Sequence, residues 1–311
     1  MYEVFFRVRE MENSKIRGKR VGNMRKNESP FWPQKSILNP APPKEPYEPV
    51  RRVRTTLRRE EQRMLDRMIG KEYHVPVSIL MEHAGLAVAD ACVSVARALT
   101  TPIHFFAGKG MNGGDSYVAA RILKSRGYQV TIWDCFPGTE HSPVVKNNRE
   151  AAECFGIPIR PASEFDPAIW QAGISRMIYE KEPGMPCVLV DGIIGTGYEF
   201  ARPLPPNLTE ITAKIEEGHS RGARVIAIDI PTGVDCDTGE ADPGAISADL
   251  TLSFILPKKG ITILPGKQKA GAVRVPTIGL PINIADLILG PVPEEPEEDE
   301  EEEETQDETK A

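Results

Sequence analysis

Apolar residues recur along this chain in two rhythms, a spacing of three to four residues and short unbroken runs, and the two alternate. Leu57, Met64, Leu65, Met68 and Ile69 fall at helical spacing. A second helical stretch runs from Ile79 to Leu99 behind Pro76, whose fixed φ suits a first helical turn. Six short runs rich in Val and Ile follow: Ile103 to Ala107, Val130 to Trp133, Val188 to Asp191, Val225 to Asp229, Leu250 to Ile255 and Ala272 to Val275. Helical patterns separate the early ones, at Tyr117 to Arg126, Pro143 to Phe155, Pro167 to Tyr179 and Asn207 to Gly218. Apolar strands alternating with helices predict an α/β protein with a mainly parallel sheet covered on both faces. Its ligands are then expected at the carboxyl ends of the strands.

The pattern stops at both ends of the chain. Residues 1–52 combine charge with seven prolines between Pro30 and Pro49, too little apolar surface to offset chain entropy, and predict a disordered basic arm. Residues 291–311 predict a disordered acidic tail, leaving 53–290 as the folded domain. The net charge of -7 averages these parts: residues 1–60 hold 15 Lys and Arg against 7 Asp and Glu, whereas 294–311 hold 12 acids and one lysine. The near-neutral remainder gives no electrostatic case for nucleic acid at the core and leaves that question open for the arm.

Five scattered cysteines without a C-x-x-C pair, and five histidines without metal spacing, predict neither a disulfide framework nor a transition-metal centre. With no run of about 18 apolar residues and no signal-like start, a cytoplasmic protein without a membrane span is expected. Ile79, Leu80, Leu86, Val88, Val93, Val95 and Leu99 exceed what one sheet face needs, which suggests a homodimer.

Three strand-end loops carry candidate chemistry. Residues 106–117 place four glycines between a strand and a helix, so that backbone amides can face a phosphate, or simply make a tight connection in which Asp115 caps the helix. Residues 190–202 put Asp191 beside Gly192, Gly195 and Gly197, where it can face a ligand or bond its own turn. Residues 228–239 put Asp229 at a strand end, with Thr232 three positions on, both hard oxygen donors.

Taken with Leu80 to Gly85, Ala119 to Arg121, Arg202-Pro203, Ala248 to Thr251 and Pro257 to Gly260, these loops resemble the YjeF N-terminal domain family, the NAD(P)H-hydrate epimerases, over roughly residues 55–283. The resemblance implies a Rossmann-like three-layer αβα sandwich that interconverts the R and S hydrates NADHX and NADPHX. Nothing after residue 283 reads as the dehydratase domain fused to this module in many bacteria, so epimerisation without dehydration is expected. It implies that Met111, Asn112, Gly113, Gly114 and Asp115, then Gly195, Thr196, Gly197, Tyr198, Glu199, Phe200 and Ala201, and also Asp229, line the dinucleotide. It further implies a potassium ion held by Asn112, Asp191 and Thr232. This chain has Met111 where members usually carry Asn, Ser116 where they carry Gly, and Thr232 where they carry Ser.

Epimerising the hydroxylated C6 carbon requires the C–OH bond to break and re-form, or the ring to open and close, and either route needs proton transfer. Asp191 and Asp229 are the expected acid–base candidates. The alternative is a catalytically lapsed relative that binds dinucleotide or serves as a scaffold in a protein or RNA assembly. A standard dinucleotide-binding dehydrogenase is excluded by glycine spacing, although Asp134 lies near the ribose-binding distance.

Overall fold

The computed structural model describes residues 54–167 and 187–292. The basic arm, all but two residues of the acidic tail, and the helix expected over 167–179 beyond its first residue lie outside them.

The described residues form a seven-stranded, wholly parallel sheet in the order β3-β2-β1-β4-β5-β6-β7. Its strands are β1 (Ile103–Ala107), β2 (Val130–Asp134), β3 (Ile159–Pro161), β4 (Val188–Gly192), β5 (Arg224–Ile228), β6 (Leu250–Leu252) and β7 (Ala272–Arg274). The helices are α1 (Arg59–Glu72), α2 (Val77–Val95), α3 (Met111–Ser125), α4 (Pro143–Cys154), α5 (Pro206–Ser220), α6 (Gly266–Ala270) and α7 (Ile284–Leu289). β1 and β4 are wholly buried because both sheet faces are covered. Alternate residues of one strand therefore serve two cores. Ile103, Phe105 and Ala107 pack with Val88, Val118 and Leu123 on the α2 and α3 side, while Phe106 packs with Leu189, Leu208 and Ile215 on the α5 side. This is the three-layer α/β architecture expected.

Several boundaries moved. α3 starts at Met111 rather than Tyr117, because Gly113 and Gly114, poor helix formers, are held in the first turn by close packing; a Cβ on Gly114 would meet the Met81 side chain. β6 ends at Leu252 rather than Ile255, since the chain turns sharply at Ile255, whose φ is +67°. β3 was missed: three residues on the sheet edge, Ile159 and Pro161 half-buried and Arg160 exposed, have no apolar run to signal them. Leu57 lies ahead of α1, in a parallel bridge with Lys258.

α2 is apolar and long enough to match a membrane-crossing helix by composition, which the sequence reading did not anticipate. Met81, Ala84, Gly85, Val88, Ala89 and Cys92 are nevertheless buried against the rest of the fold, as in a core helix. Of the apolar positions read as surplus, Val88 is buried and Leu80, Val93 and Val95 pack against the core; Ile79, Leu86 and Leu99 are exposed, Leu99 beyond the helix end.

The strand order reverses between β1 and β4. Loops leaving neighbouring strands there diverge to opposite faces and open a ligand position at their carboxyl ends. The Gly108 amide donates to the Gly192 carbonyl, joining the two loops at this point.

Candidate active site

Two of the predicted loops meet too closely for side chains. A Cβ on Gly195 would lie 2.6 Å from the Asn112 amide nitrogen, and one on Gly108 would run into the Ile193 carbonyl. These glycines are thus required by loop-on-loop packing. Gly110 caps α3 without a side-chain bond and has open space where a Cβ would stand. Met111 is 49% exposed at the first turn. Asn112 donates through Nδ2 to the Ile228 carbonyl at 2.7 Å, linking the first turn of α3 to the end of β5. Ser116, in place of the usual glycine, is fully buried and bonds back to the Asn112 carbonyl.

Asp191 closes the same junction from β4. The Thr232 hydroxyl donates to its Oδ1 at 2.6 Å, the Thr232 amide to its Oδ2 at 2.7 Å, and the Ile193 amide to Oδ1 at 3.2 Å. The Thr232 oxygen in turn accepts from the Ile194 amide. Burial pushes Asp191 up to about 6, against the pull of its bonds from Thr232 and Ile193. Asn112, Asp191 and Thr232, predicted as one ion-binding set, are therefore brought to one junction.

Residues 195–201 are pinned from below. The Tyr198 ring is buried, with its hydroxyl 3.2 Å from Asp242, so its side chain serves the core and its backbone lines the surface. Asp235 accepts from the amides of Phe200, Asp237 and Thr238 and pairs with Arg59 of α1. Burial works to raise Asp235, but those amides and Arg59 outweigh it and hold the carboxyl below its ordinary range. Arg59 also donates to the Tyr198 carbonyl and pairs with Glu199. Gly197, Phe200 and Ala201 are exposed and Thr196 is half-buried.

Asp229 adopts φ +66°, and the Ile230 amide bonds to the Ile228 carbonyl across it, a strained three-residue turn. Lys258 meets it at 2.6 Å on Oδ1 and also donates to the carbonyls of Phe254 and Leu256. Lys258 is fully buried, and its three partners hold the amine in place. The Ser253 hydroxyl and Phe254 amide also approach Oδ1, and among the described residues nothing bonds Oδ2.

Asp115 lies in the body of α3, 7% exposed, and does not cap it. Among the described residues its carboxyl accepts no hydrogen bond and meets no cation. Burial, reinforced by Asp229 and Asp66, raises it well above the usual carboxylate range. Asp66 of α1 is exposed, yet enough protein surrounds it that burial raises it too, with the bond from Gln62 and the charge of Lys258 opposing.

Sequence reasoning missed Lys258, Asp66 and Arg59. Pro257 to Gly260 was noted as a motif, and a lysine between an apolar strand and a glycine was the available signal. Asp66 and Arg59 carried none, because their helix joins the site only through tertiary packing. Away from the strand ends, a groove between α2 and β7, lined by His83, Leu86 and Arg274 among others, holds none of these residues.

The strand order and the junction at its reversal define a Rossmann-like α/β protein with a strand-end site. The family described as YjeF-related protein N-terminus matches residues 77–260, more than half of the chain, and the chain belongs to that family. It is 35% identical over 221 residues to the bifunctional NAD(P)H-hydrate repair enzyme of Thermofilum pendens, covering 71% of this chain and 39% of that one. It is 32% identical over 222 residues to the NAD(P)H-hydrate epimerase of Rhodopirellula baltica, covering 71% and 83%. The chain thus spans well under half of the bifunctional relative and most of the epimerase. The crystal structure of the yeast protein ynu0 shares the fold, with a TM-score of 0.57 and 21% identity, over 72% of this chain and 88% of that one.

Proposed function

We propose that this chain is an NAD(P)H-hydrate epimerase, acting on the R and S forms of NADHX and NADPHX in repair of the nicotinamide cofactor. The observation that carries the reading is the junction at the strand reversal: Asn112, Asp191 and Thr232 gather from three strand ends, beside carboxyls of Asp115 and Asp229 that keep unbonded oxygens. Support also comes from relatives named for this activity across most of their length.

The donor chemistry fits the expected potassium ion, since amide, carboxylate and hydroxyl oxygens suit a hard cation and Asp191 Oδ2 accepts a single hydrogen bond among the described residues. Asn112, Asp191 and Thr232 would hold it, and it would supply positive charge next to an anionic dinucleotide. The loops 111–115 and 195–201 bind that dinucleotide, with the α3 N-terminus facing its phosphates. Of the two acid–base candidates, Asp191 serves the ion and the loop junction, and Asp229 faces the substrate. A lapsed scaffold would have no use for a buried carboxyl without a partner, which favours the enzyme.

The test adds purified protein to mixed R and S NADHX with an S-specific dehydratase and its nucleotide, following recovery of NADH absorbance. Consumption of the R form faster than its spontaneous epimerisation is the expected result, and consumption at the spontaneous rate overturns the reading.

A further inference from the structure

We propose that Asp115 is the catalytic group that carries the proton in this epimerisation, with the Asp229–Lys258 pair and Asp66 forming the charged wall around it. The inference rests on the epimerase reading and goes beyond it by naming the proton carrier, which sequence reasoning had placed at Asp191 or Asp229.

Partnering separates the three carboxylates. Asp191 accepts three hydrogen bonds from Thr232 and Ile193, so moving a proton there would break the junction between β4 and β5. Asp229 is paired with a buried lysine at 2.6 Å on Oδ1, which the Ser253 hydroxyl and the Phe254 amide also approach, so it already has a structural partner. Asp115 alone has no protein partner among the described residues; the residue is 7% exposed, its oxygens keep contact with solvent, and the partial desolvation favours the neutral acid. Both neighbouring carboxylates reinforce this, since like charges close together resist joint ionisation. The charges that act on it are Asp229, from the end of β5, and Asp66, from α1, while Lys258, from the segment after β6, acts on Asp66 and pairs with Asp229. α2 meets α3 through Met81, Ala84 and Gly85 and also through two ion pairs, Glu82 with Arg121 and Asp90 with Arg126.

The step balances without an oxidant. Neutral Asp115 gives its proton to the hydroxyl on C6, the C6–O bond breaks with its electron pair leaving as water, and the N1 lone pair forms an N1=C6 iminium. Water then adds to the other face of C6 and returns the proton to Asp115. The cation formed sits against Asp115, now ionised, and Asp229 and Asp66, an excess of negative charge over the single Lys258 that stabilises the charge as it develops.

The experiment compares full-length wild type, Asp115→Asn and Asp66→Asn in the coupled NADHX assay across pH, with calorimetric binding of the NADHX mixture. Asp115→Asn is expected to lower kcat by about 100-fold or more, a loss well beyond any change in Kd. Wild-type kcat should fall on the alkaline side, and in Asp66→Asn that fall should move to lower pH, because removing a like charge makes Asp115 easier to ionise. A kcat for Asp115→Asn within about threefold of wild type overturns the proposal while sparing the epimerase reading, as does an effect confined to KM or an alkaline limb that Asp66→Asn does not move. A wild type that never exceeds the spontaneous rate overturns both. Should Asp115→Asn fail to fold, the shift in Asp66→Asn decides the matter.

Discussion

Asp191 and Asp115 are the same side chain at nearly the same depth, one 1% and the other 7% exposed, and they differ in what surrounds them. Asp191 has amide and hydroxyl donors on both oxygens, supplied by its own loop and by the loop after β5. Asp115 has none among the described residues, and the charges that act on it are two further carboxylates. The lesson is that burial alone does not assign a role. A buried carboxylate with its lone pairs met holds backbone in place, whereas one left unmet is costly to the fold and persists where it does chemistry. Asp229 stands between them, paired on one oxygen and open on the other.

The strongest way to sharpen this contrast is to unpair Asp229. Lys258→Met leaves a buried carboxylate without its cation and should lower stability by about 3–5 kcal/mol in urea unfolding. Adding Asp229→Leu should recover most of that loss, and a single variant as stable as wild type would mean the pair is not structural. Next in size, Asp191→Ala strands the Thr232 and Ile193 donors and should cost about 2–4 kcal/mol by the same measurement. A loss under about 1 kcal/mol would break the comparison, because Asp191 would then not be holding the loops.

Gly195→Ala pushes a methyl group into the Asn112 amide and should cost about 1–3 kcal/mol, with the rise in KM exceeding the fall in kcat. A pH series tests Asp115 from the side of stability. Because its carboxyl is raised in the folded chain, it keeps a proton over a range where the unfolded chain has released it, so folding weakens as pH rises through that window. Asp115→Asn lacks this penalty, and its Tm should gain on wild type from pH 4 to pH 8; a constant difference would show that Asp115 ionises normally. The smallest effect is expected at exposed Met111, where Met111→Asn should change KM by less than about threefold.

Much of the sheet was legible because buried parallel strands announce themselves as continuous apolar runs. Ile103–Ala107 fell where the run predicted, and β2, β4 and β5 within a residue of it. β3 escaped because a three-residue edge strand with no fully buried position needs no such run. The start of α3 escaped because glycine propensity argued against a helix that packing against Met81 and the Gly108 carbonyl imposes. Asn112, Asp191 and Thr232 were legible as polar residues at strand ends. Lys258 and Asp66 were not, since a lysine reads as surface and a helical aspartate as solvated face until the fold places them.

By itself the sequence determined the alternation of helix and strand, the three strand-end loops and the family, because periodicity and short motifs are local properties of the chain. Only the tertiary structure decided which carboxylates are bonded and which are bare, and that a lysine near residue 260 neutralises an aspartate near residue 230. Hydrogen-bond satisfaction and burial depend on what distant segments bring to one point, and no window of sequence contains that information.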